Sequence, residues 1–238
     1  AKGRRLETLE ETVARNAGSS HQVRMGSTLT LDRPAVTTAV TSDESRGEGR
    51  RAGNIGLALT WLSMLFTGAG MVLRGVSAQR LPWGNMYEFS IAGGFGVLLA
   101  YCVMSIKRDL RWLGIFIAVP VLLDLGLAIT VLYTESAQLV PALRSYWLAI
   151  HVTAAIVCMG SFAVGAALSA LYLVAARAEE NVAAAKPAGR LGWLAERLPA
   201  SDRLDLMAYR IHAFMFPLWT FAVIAGAIWA EAAWGRYW

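Results

Sequence analysis

The sequence predicts an all-α fold, a polytopic membrane helix bundle with five transmembrane helices. Three observations carry this. Hydrophobic residues make up 56% of the 238-residue chain and charged residues only 16%. The apolar residues fall in long blocks almost free of charge, and the basic residues alternate from one connector to the next. Crossing the hydrocarbon takes about 20 apolar residues as a helix, and five stretches qualify: residues 55–73, 87–106, 112–133, 147–176 and 211–230. Backbone groups in lipid must be satisfied within the segment, so each stretch is read as a helix.

The net charge of +5 does not point to nucleic acid, because of where the charge lies. All but four of the 22 Lys and Arg residues precede residue 55 or fall at 107–111 and 177–210. The four, Arg74, Arg80, Arg144 and Arg236, lie in the alternate connectors or beyond the last span. The positive-inside rule then predicts a multi-pass plasma-membrane protein with a cytoplasmic N-terminal tail and an external C-terminal segment.

Residues 1–54, rich in Arg, Glu, Ser, Thr and Gly, read as a mostly disordered cytoplasmic tail. His21 there is expected to be a solvated surface residue. Residues 55–238 form the bundle, ending in an external tryptophan-rich segment. After the first span, Leu81-Pro82-Trp83-Gly84-Asn85-Met86-Tyr87-Glu88-Phe89 marks a turn. Glu88 is expected at the outer boundary, hydrated.

Cys102 and Cys158 lie within the second and fourth spans, without CxxC or metal-ligand spacing. Asp124, in the third span, falls near the bilayer centre. An ionisable group there is either functional or hydrogen-bonded to a neighbouring helix. The fourth run is 30 residues, about 45 Å as helix, so it must tilt or protrude. His151 then emerges near the outer interface. It can ligate a metal or haem iron through a neutral imidazole nitrogen, or bond water or backbone. His212, in the first turn of the fifth span, lies at the opposite depth, where structural hydrogen bonding is the default.

The last ten residues, 229–238, hold three of the nine Trp. Aromatics at a membrane boundary commonly form an interfacial belt. If the helix carries on past the surface, Trp234, Tyr237 and Trp238 share one face and make an aromatic shelf. The four outer basic residues are all Arg, and an Arg fork binds a carboxylate through two parallel hydrogen bonds that Lys cannot reproduce. Arg236 lies within the tryptophan-rich segment and Arg144 seven residues before His151.

Three stretches, in order, resemble one family. They are Trp83-Gly84-Asn85-Met86-Tyr87-Glu88-Phe89; Pro141-Ala142-Leu143-Arg144-Ser145-Tyr146-Trp147-Leu148 followed by His151; and Trp234-Gly235-Arg236-Tyr237-Trp238 preceded by Gly226-Ala227-Ile228-Trp229-Ala230-Glu231. The chain resembles the haem-handling membrane proteins of system II cytochrome c assembly, called CcsA, CcsB or ResC. The resemblance implies a component of a cytochrome c haem lyase. It would present haem at the outer face for attachment to the CxxCH motif of apocytochrome c, with a ResB-type membrane partner and membrane lipid around it. It also implies that His151 ligates haem iron and that Trp229, Trp234, Gly235, Arg236, Tyr237 and Trp238 receive the porphyrin; with a haem there, the fork chemistry and positions of Arg144 and Arg236 make them the candidates to hold its propionates. The family motif continues beyond this tryptophan to a Trp-Asp pair, and a second external histidine and a membrane histidine follow downstream. The chain is therefore expected to be part of a longer protein. The alternatives are a system I haem-handling protein and, from another class, a non-catalytic membrane scaffold or transporter subunit whose aromatics are only a belt.

Overall fold

A computed structural model describes residues 35–135, 143–187 and 189–237. The chain divides into two compact units, Ala1–Arg46 and Gly47–Trp238, and the second holds the bundle. The elements are α1 (Ala35–Ala78), α2 (Met86–Lys107), a 3-10 turn (Arg111–Leu113) leading into α3 (Gly114–Thr130), α4 (Tyr146–Ala183), the short α5 (Gly192–Ala195) and α6 (Ser201–Trp234). Among the described residues there is no strand. Among the described residues, five segments are long and apolar enough to cross a membrane: Gly49–Ala78, Met86–Lys107, Arg111–Thr130, Tyr146–Ala183 and Ser201–Trp234.

The helix that carries the first span begins upstream of its apolar run, so residues 35–54 of the expected tail are helical. Residues 1–34, with His21, lie outside the described residues. α3 stops at Thr130, short of the expected residue 133. The N–H groups of Val131 and Leu132 both turn back to Leu127 O, at 2.9 and 3.2 Å. α4 and α6 have 38 and 34 residues, about 57 and 51 Å of helix, and both outrun a hydrocarbon core of about 30 Å. The overshoot was expected of α4 but not of α6.

α4 and α6 are joined by α5 and pack against each other, while α2 packs on α4 and α3 on α2. Lipid tails are as apolar as leucine, so close approach and polar ties hold membrane helices together more than hydrophobic burial does. The α2–α4 crossing shows such an approach. A Cβ on Gly160 would collide with the Gly96 carbonyl and lie 2.8 Å from Val97 N. Around it, Leu98, Tyr101, Cys102, Leu113, Val164, Leu168 and Leu204 are buried in one core, which Met64 of α1 joins.

A polar tie closes the outer end. Asn85 caps α2, its Oδ1 accepting from Glu88 N at 2.9 Å. Glu88 is not hydrated as expected, for it is 1% exposed. Its carboxylate accepts from Arg74 Nε at 2.8 Å, Arg80 Nη1 at 2.7 Å and Gly84 N at 2.7 Å. Arg74 also donates to Thr134 O at 2.6 Å and lies over the Tyr87 ring. Two guanidiniums and a backbone N–H together replace the water that a buried carboxylate would otherwise lose. No local motif marks this tie, because the two arginines stand 14 and 8 residues before Glu88.

Candidate functional site at the α4–α6 seam

His151 lies in the second turn of α4, half-buried against α6. Its Nδ1 is 2.7 Å from Ala222 O. A carbonyl can only accept, so Nδ1 carries the hydrogen of the neutral ring and Nε2 keeps the lone pair. A backbone partner of this kind orients metal-ligating histidines and sets their tautomer. Gly226, one turn beyond Ala222, provides the space. A Cβ there would stand 2.6 Å from Nδ1 and 2.7 Å from Cε1 of the ring.

Trp229 follows on the same face of α6, three residues past Gly226. Its ring meets Trp234 edge to face, with centroids 4.7 Å apart. The helix ends there. Gly235 adopts φ 67°, and its N–H bonds Glu231 O at 2.8 Å, the left-handed glycine cap that commonly closes a helix. Tyr237 therefore lies past the helix and does not share a helical face with Trp234 as expected. Trp229 and Trp234 make the aromatic pair instead, while Gly235, Arg236 and Tyr237 are exposed beyond the cap. Trp238 lies outside the described residues.

Arg144 stands just before α4 and is exposed. With Arg80, Trp83 and Tyr146 it lines a cavity of about 550 Å³. His151 does not line that cavity, so the structure sets His151 against Ala222 and Gly226 of α6 and leaves Arg144 in a separate recess.

His212, on α6, shares the glycine contact but not the cross-helix bond, for its carbonyl partner lies four residues back in its own helix. Its Nδ1 is 2.7 Å from Ala208 O, its ring stacks on Phe162 at 5.6 Å, and a Cβ on Gly165 would stand 2.6 Å from its Cε1. His151 faces Gly226 and His212 faces Gly165, and on each helix the histidine precedes the glycine by fourteen residues. The two rings thus lie about 21 Å apart along the seam, too far to share one ion. Sequence reasoning missed both glycines. Their equal spacing from the two histidines was the available signal.

Asp124 accepts from Ser90 Oγ of α2 at 2.5 Å, so it has a partner on a neighbouring helix. Both line an apolar cavity of about 820 Å³ between α2, α3 and α4.

The residues present suit a haem. One imidazole offers Nε2 with its tautomer set, and an aromatic pair closes the same helix α6 that holds its ring.

The profile of the Cytochrome C assembly protein family matches residues 83–238. The chain is 30% identical to the cytochrome c biogenesis protein CcsA of Guillardia theta over 77% of this chain and 65% of that protein. To the CcsA of Porphyra purpurea it is 28% identical, over 78% of this chain and 65% of that protein. For the CcsA of Synechococcus sp. (strain JA-3-3Ab) the identity is 27%, over 79% and 66%. The chain thus spans about two thirds of the length of these curated relatives. With its match across the second to fifth spans, this multi-pass membrane chain belongs to the cytochrome c assembly protein family.

Proposed function

We propose that this chain is the haem-handling part of a cytochrome c synthase, presenting haem at the outer membrane face for covalent attachment to apocytochrome c, with a ResB-type membrane partner. The names of its relatives support a role in cytochrome c biogenesis. The observation that carries the haem reading is the His151 ring, held by Ala222 O and Gly226 with Nε2 left as a ligand, on the helix that carries Trp229 one turn further on. In this reading Nε2 takes the iron. Trp229 and Trp234 pack on the porphyrin and exclude water from one face, while Arg144 and Arg236 reach the propionates. The bound haem supplies the reactive vinyl carbons, and the protein supplies binding and orientation. The basic residues of the N-terminal tail and of the 107–111 and 177–210 connectors support the orientation with that tail in the cytoplasm, and the reading takes the membrane to be the plasma membrane.

The test is the Soret absorbance of the full-length protein purified with and without His151→Ala. Lowered haem content, restored in part by added imidazole, is the expected result. Unchanged content and spectrum would remove His151 as a ligand. Absence of any Soret band in the unsubstituted protein would favour a scaffold or transporter subunit, for which the exposed Trp234 and Tyr237 serve only as an interfacial belt.

A further inference from the structure

The far end of the bundle from His151 carries a second feature, unconnected with the tryptophan segment. A cavity of about 320 Å³ lies between the end of α2 and the inner part of α6, lined by Val103, Met104, Arg108, Met207, Arg210 and Phe214 among others. Arg108 caps the C-terminus of α2 directly after Lys107. Arg210 directly precedes the apolar run of α6. Both guanidiniums therefore stand where apolar helix meets water.

No hydrogen bond or ion pair engages either guanidinium among the described residues, and no acidic residue lines the cavity. The contrast with nearby Arg111 is informative, since that side chain is bonded to Asp109 and Asn54. An arginine is charged at every physiological pH, so the cavity mouth holds two uncompensated positive charges. The walls behind them are apolar and adaptable. Met104 and Met207, with Met215, are flexible thioethers that mould to an irregular guest. Phe214 is 78% and Val103 52% exposed, so the cavity opens sideways, toward the acyl chains.

We propose that this cavity is a binding site for one anionic phospholipid, its phosphate bridged by Arg108 and Arg210 and an acyl chain laid along the methionine wall. Arginine forks match phosphate oxygens in a way a zwitterionic headgroup weakens by its own cation. Basic recesses between membrane helices bind anionic headgroups on the same grounds.

The experiment is native mass spectrometry of the full-length protein exposed to equal amounts of phosphatidylglycerol and phosphatidylcholine with identical chains. At about 1 kcal/mol per basic residue near a membrane surface, two arginines give about a thirty-fold preference for the anionic lipid. The expected result is that preference in the unsubstituted protein, a fall toward equal retention in Arg108→Gln/Arg210→Gln, and no change in Arg203→Gln. Met207→Trp, which fills the cavity, should lower retention of phosphatidylglycerol with both arginines intact. Circular dichroism and gel filtration identify any variant that fails to fold, and for such a variant the Met207→Trp result decides. Equal retention of the two lipids by the unsubstituted protein overturns the proposal, as does a preference that survives the double substitution. Haem retained in place of phosphatidylglycerol when equal amounts of both are offered, and lost in the double substitution, would assign the arginines to propionates and overturn it too.

Discussion

Replacing Gly226 by alanine tests the haem site through a residue that would never touch the haem. The added Cβ would stand 2.6 Å from His151 Nδ1 and 2.7 Å from Cε1, where ordinary contact begins at about 3.4 Å. The ring must therefore retreat by roughly 0.8 Å. The Nδ1···Ala222 O bond, now 2.7 Å, would lengthen to about 3.5 Å, the outer limit for such a bond. Two costs follow. Overpacking of the seam is worth about 1 to 3 kcal/mol of stability. Loss of the bond that sets tautomer and direction typically lowers metal affinity by about 10- to 100-fold. The assay is haem per protein by pyridine haemochrome, with the Soret position as a readout of ligation, in the full-length chain. Gly165→Ala is the control, since it presses on His212 at comparable distance and overpacks the same seam. Gly226→Ala should lose haem while Gly165→Ala keeps it. Equal loss in both would mean that the seam simply fails when crowded. Unchanged occupancy and spectrum in Gly226→Ala would refute the orienting role of Ala222 and Gly226.

Arg236→Lys keeps the charge but not the fork, and should weaken haem retention by about 1 to 2 kcal/mol. Loss in Arg236→Ala alone, with the Lys variant unaffected, would reduce the residue to a simple charge. Asp124→Asn preserves an acceptor for Ser90 Oγ and should leave cytochrome c maturation largely intact. A well-folded Asn variant with maturation abolished would show that the carboxyl is needed for function. Ala185 adopts φ 49° after α4, a left-handed conformation that costs a residue with a Cβ about 1 to 2 kcal/mol. Ala185→Gly should therefore raise the thermal midpoint, and an unchanged or lower midpoint would refute that strain.

The five spans were legible because hydrocarbon imposes one rule, a run of apolar residues long enough to cross, and composition alone reports it. Their ends were less so. The closure of α3 at Thr130 and the glycine stop at Gly235 depend on backbone geometry that hydropathy does not encode, and the second of these takes Tyr237 off the helical face it was expected to share with Trp234. His151 could be singled out from position and family resemblance. Ala222 could not, because a backbone carbonyl leaves no chemical mark on a sequence, and Gly226 was marked only by its fourteen-residue spacing from His212, which matches that of Gly165 from His151. Glu88 misled for a related reason. A carboxylate at a boundary looks hydrated until Arg74 and Arg80 are seen folding over it.

The contact between Gly160 and Gly96 also constrains how this gene can drift. Every point mutation that alters a glycine codon's meaning, short of a stop, installs a side chain. At most positions a second mutation nearby can make room by trimming whatever obstructs it. At Gly93 the obstruction would be the terminal methyl of Met159, so a smaller residue at 159 would suffice. At Gly160 the obstructing atoms are the carbonyl of Gly96 and the nitrogen of Val97, which all twenty amino acids possess. No substitution elsewhere can delete them. An allele altered at codon 160 can be rescued only by moving α2 away from α4, which means rebuilding a whole helix interface at once, and that is a step no single suppressor mutation can take.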